Sequence, residues 1–257
     1  MEMGLKSKVA VITGSTEGIG KATAFKFAQE GAKVAICGRR AEAVAGTVNE
    51  LKQAGADAFG MAADISKAAD IQRFIDGVVK QFGRLDILVN NAGSSKRGAF
   101  LEVDDATWAA DLELKVFGAI RCARLAVPHM RKQGGGRIIN ITNIGAKQPG
   151  GGSMPTTLSR AACLALTKSL SKEFAPENIL VNTVCIGKIK SGQHERSRLK
   201  SGLSAEEYYA KGGKEIPMGR FGEAEEAASA IVYLASAAAS YVTGTSMNLD
   251  GGLSGVL

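Results

Sequence analysis

The chain has 257 residues, of which 45% are hydrophobic and 22% are charged, and this composition predicts one soluble globular domain. The net charge of +7 does not indicate nucleic-acid binding, because the basic residues are spread along the chain and only 5% of residues are aromatic. No apolar run approaches the ~20 residues that a membrane-spanning helix needs, and the start lacks the apolar segment of a signal peptide. We therefore expect a cytoplasmic protein without a membrane partner.

Short apolar segments alternate with helix-like segments along the whole chain. Parallel strands need crossover helices, and those crossovers are right-handed. The alternation therefore predicts a Rossmann-type, doubly wound α/β fold, with a seven-stranded parallel sheet and helices on both faces. The predicted strands are residues 9–12, 33–37, 58–62, 87–89, 137–141, 180–184 and 247–249. Helices are predicted at residues 21–29, 106–132 and 156–174.

A glycine-rich turn, Thr13-Gly14-Ser15-Thr16-Glu17-Gly18-Ile19-Gly20, lies between the first strand and the first helix. Glycine allows a tight turn and a close approach of pyrophosphate, while the free N–H groups and the dipole of the helix start favour an anion. The turn predicts a dinucleotide site. A glycine-rich turn without a ligand is the alternative, since such motifs also occur by chance.

Further motifs follow in order, and with them the chain resembles the short-chain dehydrogenase/reductase family over essentially its full length. Asp64-Ile65 follows the third strand, Asn90-Asn91-Ala92-Gly93 follows the fourth, and Tyr241-Val242-Thr243-Gly244 and Asp250-Gly251-Gly252 stand near the end. The resemblance implies that the Asn-Asn-Ala-Gly turn supports the sheet and lines the cofactor site, and that Asp64 approaches the adenine. It also implies that Ser191 matches a Thr that contacts the nicotinamide carboxamide.

The end of the second strand reads Gly38-Arg39-Arg40. A carboxylate here would bind a ribose 2′-OH, whereas two guanidinium groups suit a 2′-phosphate. We therefore expect NADP(H) in preference to NAD(H), although Glu17 argues weakly for NAD(H) and a solvated helix start would also explain both arginines. The residues expected to bind the cofactor are Gly14, Ser15, Thr16, Glu17, Gly18, Ile19, Gly20, Arg39, Arg40, Asp64, Ile65, Asn91, Ala92, Gly93, Arg160, Ile189 and Ser191.

The polar residues that usually carry the family's chemistry are replaced in this chain. None of its four tyrosines is followed by Lys four residues later. An ungapped register places Thr156 at the family's Tyr position, Arg160 at its Lys position and Asn143 at its Ser position. Lys115 falls where some members have an Asn, seven residues after a Trp. The resemblance thus implies an atypical member that lacks Ser-Tyr-Lys, with Asn143, Thr156, Arg160 and Lys115 as candidate catalytic residues.

Side-chain chemistry assigns these candidates different roles. A Thr hydroxyl is too weak an acid to ionise near neutral pH, and Arg160 stays protonated but could bind a ribose, a carboxylate or an oxyanion. Asn143 could donate to a carbonyl. Lys115 would supply the missing acid if burial or a neighbouring Arg lowers its pKa; a surface lysine with a snorkelling side chain is the alternative. Tyr208 and Tyr209 are other candidate proton donors.

The segment 188–213 is a polar insertion that matches the place of a family substrate lid. Its cations favour an anionic substrate, although a solvated amphipathic helix would have the same pattern. The basic residues that cluster in the first half of this insertion are Lys188, Lys190, His194, Arg196, Arg198 and Lys200.

The resemblance also implies a homodimer or homotetramer formed through helices 106–132 and 156–174. Leu114, Phe117, Leu164 and Leu170 would contribute to such contacts, or would be core residues. No metal site is expected, because the four cysteines are scattered without a C-x-x-C pair and the chain has only two histidines.

Three functions remain open at this point. The first is a divergent NADP(H)-dependent oxidoreductase that acts on a small carbonyl or alcohol, with an anionic group on the substrate as one option. The second is a non-redox enzyme, a lyase or isomerase, in which Arg160 and Asn143 polarise the substrate. The third is a catalytically inert dinucleotide-binding sensor.

Overall fold

The computed structural model describes residues 3–257 of the chain. Within them, strands and helices alternate as the apolar pattern predicts. The strands are β1 (Val9–Ile12), β2 (Lys33–Gly38), β3 (Ala58–Ala62), β4 (Ile87–Asn90), β5 (Arg97–Gly98), β6 (Gly136–Asn143), β7 (Met154–Pro155), β8 (Ile179–Ile186) and β9 (Ser246–Leu249). The helices are α1 (Gly18–Gln29), α2 (Ala41–Gln53), α3 (Ala68–Phe82), α4 (Asp105–Leu112), α5 (Gly118–Lys132), α6 (Thr156–Phe174), α7 (Gly192–Ser201), α8 (Ala205–Gly213) and α9 (Ala224–Ala235).

Seven strands form one parallel sheet in the order β3-β2-β1-β4-β6-β8-β9. The predicted doubly wound fold and all seven predicted strands are confirmed. The strand order reverses between β1 and β4, and ligands of such sheets bind outside the carboxyl ends of the strands at this switch point. Both the glycine-rich turn after β1 and the Asn-Asn-Ala-Gly turn after β4 lie there.

Helices cover both faces of the sheet, so the strands read as nearly continuous apolar runs. Phe27 of α1, Leu51 of α2 and Ile231 of α9 belong to one buried layer. Phe74 of α3 and Met130 of α5 belong to the other. These two layers hold the strand ends in place for the site. Among residues 3–257, no helix has the length and apolar character needed to cross a membrane.

The helix predicted at residues 106–132 contains an irregularity. A π-helical turn, Glu113–Phe117, joins α4 to α5. Single π turns inside α-helices occur frequently at functional sites. Lys115 lies in this turn and is buried.

A small antiparallel ribbon directly precedes α6. It pairs β5 with β7 and brings the backbone N–H of Lys96 within 2.8 Å of Thr156 Oγ1. The apolar pattern does not predict this ribbon, because each strand has only two residues.

Candidate active site

A cleft of about 1010 Å³ opens at the carboxyl edge of the sheet. It runs from the glycine-rich turn, past the ends of β2 and β4, to α4 and the start of α7. Most of the residues predicted to bind the cofactor line it, namely Gly14, Thr16, Glu17, Gly18, Ile19, Gly20, Arg39, Arg40, Asp64, Ile65, Asn91, Ala92, Gly93, Arg160 and Ser191.

Ser15 and Ile189 do not line this cleft. The Ser15 hydroxyl is buried and donates to the carbonyl of Ile12 at 2.7 Å. Ile189 is 4% exposed and packs in the core. Their side chains hold the turn and the segment after β8 in place, and any contribution to cofactor binding would come through their backbone.

The glycine-rich turn has the backbone that its sequence predicts. Gly14 and Gly18 have φ values of 64° and 54°, in the left-handed region that favours glycine. A Cβ on Gly14 would also lie 2.8 Å from Cα of Ala92, so the turn after β4 leaves no space for a side chain. Gly14 is thus required both for its conformation and for this close approach.

Gly14→Ala should therefore reduce both stability and dinucleotide affinity. The left-handed conformation alone costs a non-glycine residue about 1–2 kcal/mol, and the clash with Ala92 adds to that cost. Gly55→Ala is the matched control, because Gly55 has a φ of 85° but no atom within 4 Å of the added Cβ. Urea unfolding should rank wild type, Gly55→Ala and Gly14→Ala in order of decreasing stability. Equal stability of the two variants would contradict the close approach.

Asn91 and Thr13 lock the two turns together. The Asn91 amide donates to the carbonyls of Thr13 and Gly14, each at 2.9 Å. The Thr13 hydroxyl accepts from the backbone N–H groups of Asn91 and Ala92, each at 3.0 Å. The Asn91 side chain therefore supports the turns, and Thr13 is a supporting residue that the sequence did not single out.

Arg39 and Arg40 lie exposed at the border of the cleft, directly after β2. Asp64 lines the same cleft, and its Oδ1 accepts hydrogen bonds from the backbone N–H and the hydroxyl of Ser66 at 3.0 and 2.7 Å. This turn fixes Asp64. The hydrogen bonds from Ser66 and the positive charge of Arg39 lower the pKa of Asp64.

Lys115 is a buried ammonium group with three polar partners. Its Nζ donates to Asp111 Oδ1 at 2.5 Å, to Thr156 Oγ1 at 3.0 Å and to Ser159 Oγ at 3.4 Å. The residue is 3% exposed, so the alternative of a snorkelling surface lysine is wrong. Burial, reinforced by the nearby charge of Arg160, lowers the pKa of Lys115 to about 8.

Thr156 is fully buried under the β5–β7 ribbon. Its Oγ1 accepts hydrogen bonds from the Lys96 backbone N–H at 2.8 Å and from Lys115 Nζ at 3.0 Å. The hydroxyl proton is left to donate. A substrate can reach this hydroxyl only if the Lys96 segment moves.

Arg160 lies between the open cleft and the buried cluster. Its Nη1 donates to the carbonyl of Ile141 at 2.6 Å, and its Nη2 lies against Gly93, where an added Cβ would be 2.7 Å away. Its Nε is buried without a hydrogen-bond partner among the described residues. A cavity of about 10 Å³ lies between Arg160 and Lys115, which is about the space that one water molecule needs.

Asn143 ends β6 but does not line the cleft. Its amide oxygen is buried and has no hydrogen-bond partner within residues 3–257. A buried, unpaired polar atom is costly and calls for a functional or structural reason.

The tyrosines of the insertion are engaged elsewhere. Tyr209 donates to Glu195 at 2.5 Å, and the Tyr208 hydroxyl lies 3.2 Å from His194 Nδ1. Burial and the adjacent Glu195 raise the pKa of Tyr209 to about 12. Neither ring lines the cleft, so the expectation that one of them could donate the proton is not supported.

Two neighbours of Lys115, Asp111 and Ser159, are functional candidates that the sequence analysis does not single out. Asp111 precedes Lys115 by four residues in a predicted helix, and this spacing places them on one face. Ser159 follows Thr156 by three residues on α6. The spacings of Asp111 from Lys115 and of Ser159 from Thr156 are visible in the sequence. Helix spacing alone, however, does not distinguish a buried pair of side chains from an exposed pair.

A family model described as enoyl-(acyl carrier protein) reductase matches residues 14–254. A curated relative, the 3-oxoacyl-[acyl-carrier-protein] reductase FabG of Thermotoga maritima, is 34% identical over 251 residues, which cover 98% of this chain and 99% of the relative.

Two solved structures are similar to this chain over nearly their whole length. L-sorbose reductase from Gluconobacter frateurii, complexed with NADPH and L-sorbose, has a TM-score of 0.96 and 34% identity, with both chains fully covered. A short chain oxidoreductase from Pseudomonas aeruginosa PAO1, described as containing an atypical catalytic center and bound to NADPH, has a TM-score of 0.92 and 34% identity. That comparison covers 98% of this chain and 100% of the other.

Proposed function

Because the chain belongs to the short-chain dehydrogenase/reductase family, we propose that this oxidoreductase uses NADP(H) to convert a small carbonyl or alcohol at an atypical centre. Lys115, Thr156, Arg160 and Asn143 form this centre in place of Ser-Tyr-Lys. The observation that carries the proposal is the contact of 3.0 Å between the buried Lys115 Nζ and Thr156 Oγ1. This contact supports Lys115 as a proton donor beside Thr156, the residue that aligns with the family's Tyr.

The residues of the cleft fit a bound NADP(H). The positive φ values of Gly14 and Gly18 open the turn before α1, whose first N–H groups suit a pyrophosphate. Arg39 and Arg40 suit the 2′-phosphate. Arg160, with its unpaired Nε, supplies donors for the ribose hydroxyls. When bound, NADPH supplies the hydride, and the protein must then supply the proton.

Lys115 is the acid in this proposal. A Thr hydroxyl cannot ionise near neutral pH, but it can pass a proton on without ionising, because it gains one from Lys115 as it loses its own. The proton moves from Lys115 Nζ to Thr156 Oγ1, and the Thr156 proton moves to the substrate oxygen. For this transfer the Lys96 N–H leaves Thr156 Oγ1, the hydroxyl turns toward the vacated position, and the substrate oxygen accepts its proton there. Asn143 orients the substrate with its amide.

We propose that the chain is a single domain in which residues 188–213 act as a substrate lid. The lid reaches the cleft through Ser191, Gly192, Gln193 and Arg196. An anionic substrate would be favoured by Arg160 and by the exposed Lys96, both of which line the cleft.

Most of the lid's cations contribute little to this attraction, because they are paired with carboxylates. Lys188 pairs with Glu215 and Lys190 with Glu223. Arg196 pairs with Glu17 across the cleft at 3.2 Å, and Arg198 pairs with Glu195 at 2.9 Å. The field of the lid is therefore weaker than its sequence suggests.

We further propose that the protein assembles as a homodimer or homotetramer through α5 and α6. Phe117, just before α5, is 46% exposed, and Leu158 on α6 is 43% exposed. Leu114, Leu164 and Leu170 are partly buried, and Leu170 packs against the core. Light scattering should give two or four times the mass of the chain.

The function is tested with NADPH that carries deuterium at the transferable position of C4. The purified protein is offered a panel of ketones that includes a keto acid and its methyl ester, a pair that differs mainly in charge. We expect deuterium in the alcohol product and a higher kcat/KM for the acid. Turnover without deuterium transfer would indicate a non-redox enzyme, and tight NADPH binding without turnover of any substrate would indicate a sensor. Either result would contradict the proposal.

A further inference from the structure

The Lys115 ammonium is held by a buried carboxylate. Asp111 has no exposed side-chain surface, and both of its oxygens are used. Oδ1 accepts from Lys115 Nζ at 2.5 Å, and Oδ2 accepts from the Ser159 hydroxyl at 2.6 Å. Ser159 Oγ is also 3.4 Å from Lys115 Nζ, so the three side chains form a closed arrangement between α4 and α6.

We propose that Asp111, fixed by Ser159, is a positioning residue that keeps Lys115 charged and directs its ammonium group at Thr156. This inference rests on the proposed function, in which Lys115 supplies the proton. Asp111 lies at the wall of the cleft, but its side-chain oxygens accept from Lys115 and Ser159, and it acts on the reaction through Lys115.

The charges around Lys115 make Asp111 necessary for this role. Burial disfavours the ammonium form, and Arg160 on α6 disfavours it further. Cys163, also on α6, is buried, and its pKa is raised, so it remains a neutral thiol near neutral pH. Among the groups that influence Lys115, Asp111 is therefore the source of compensating negative charge.

The geometry explains the direction of the ammonium group as well as its charge. An ammonium has three donors and no acceptor. Asp111 and Ser159 take up two of the donors, and the remaining one points to Thr156 Oγ1. The π-helical turn places Lys115 on the side of the helix that faces α6. Without Asp111, a neutral amine could accept a hydrogen bond from Thr156 and reverse the direction of transfer.

The test follows the ionisation of Lys115 directly, in the full-length protein. Lysine labelled with ¹³C at Cε is incorporated, and the Lys115 resonance is identified by its loss in Lys115→Met. In Asp111→Asn the Lys115 titration should move to lower pH than in wild type. The alkaline limb of kcat for ketone reduction should move to lower pH by the same amount, because only the ammonium form can donate.

Ser159→Ala is the milder variant and decides the question if Asp111→Asn does not fold. Loss of the hydroxyl frees the Asp111 carboxylate to turn away from Lys115. We expect a lower kcat at unchanged KM and a Lys115 titration at lower pH, while Ser159→Thr, which keeps the hydroxyl, restores both. A structural role alone would not move the titration.

The outcomes distinguish this inference from the function on which it rests. An unchanged Lys115 titration in the folded variants would overturn the role of Asp111. A titration that moves while the kcat limb stays in place would support the effect of Asp111 on Lys115 and would contradict Lys115 as the proton donor.

Discussion

Lys115→Met lowers kcat for ketone reduction by about 10²- to 10⁴-fold, the contribution typical of a positioned general acid. Met keeps much of the side-chain volume but has no proton to give. The affinity for NADPH should stay close to that of wild type, because Lys115 does not line the cleft in which the dinucleotide would lie. Stopped-flow measurement of the hydride-transfer step, with NADPH saturating, checks the loss.

This variant leaves the Asp111 carboxylate buried and unpaired, which costs about 3–5 kcal/mol of stability. Lys115→Met/Asp111→Asn removes the unpaired charge and should lose the same turnover while it recovers stability. Lys132→Met, at the exposed end of α5, is the matched control and should behave as wild type. If Lys115→Met and Lys115→Met/Asp111→Asn both keep the kcat of the wild type, Lys115 is not the proton donor.

Wild-type reduction should also lose rate as the pH rises. The acid must be protonated to act, so kcat is constant well below the pKa of Lys115 and falls as the pH passes through about 8. For oxidation of the alcohol, kcat should rise as the pH passes through about 8, because Lys115 must then be a neutral amine to accept the proton. A profile of kcat against pH in both directions checks the sign.

The fold could be predicted because a doubly wound sheet requires a regular alternation of apolar and helical segments in the sequence. The strands are buried on both faces, so each appears as an apolar run, and the helices between them set the order. The β5–β7 ribbon has no such pattern, because each of its strands has only two residues. Its four residues are held by pairing across a distance of more than 50 positions, and no local pattern encodes that contact.

The candidate site could be predicted in part, for a related reason. The spacing of Gly14, Gly18 and Gly20 is local, and the structure has the turn that it predicts. The burial of Lys115 is not local, because it depends on Thr156 and Ser159 of α6. The sequence alone is therefore compatible with a buried and with an exposed Lys115, and the packing of α6 on the π-helical turn decides for the buried one.

The proposed lid, residues 188–213, shows the same limit for charges. Its cations form a conspicuous cluster in the sequence, but three of their carboxylate partners lie outside the cluster, at Glu17, Glu215 and Glu223. Charge patterning along a chain counts neighbours in sequence, whereas the field at a cleft depends on neighbours in space. In the proposed function, Lys96 and Arg160 therefore attract an anionic substrate more than residues 188–213 do.

Arg39→Ala/Arg40→Ala should remove the preference for NADPH. Each arginine offers a charge-assisted hydrogen bond to the 2′-phosphate, but both side chains are exposed, so solvent and salt screen the interaction. We expect the Kd for NADPH to rise by about 10- to 10²-fold, equivalent to about 1.4–2.8 kcal/mol. NADH lacks the 2′-phosphate, and its Kd should change by no more than about twofold. Fluorescence titration with both cofactors measures the ratio.

Arg124→Ala is the control for a general loss of positive charge, because Arg124 is exposed on α5, outside the cleft lining. The wild-type affinity for NADPH should fall with added salt more steeply than that for NADH, and the double variant should lose this difference. Glu17 lines the same cleft but pairs with Arg196, so its charge is partly neutralised and opposes the phosphate less than an unpaired carboxylate would. Equal affinity of the wild-type protein for both cofactors would show that Arg39 and Arg40 serve only as the solvated start of α2.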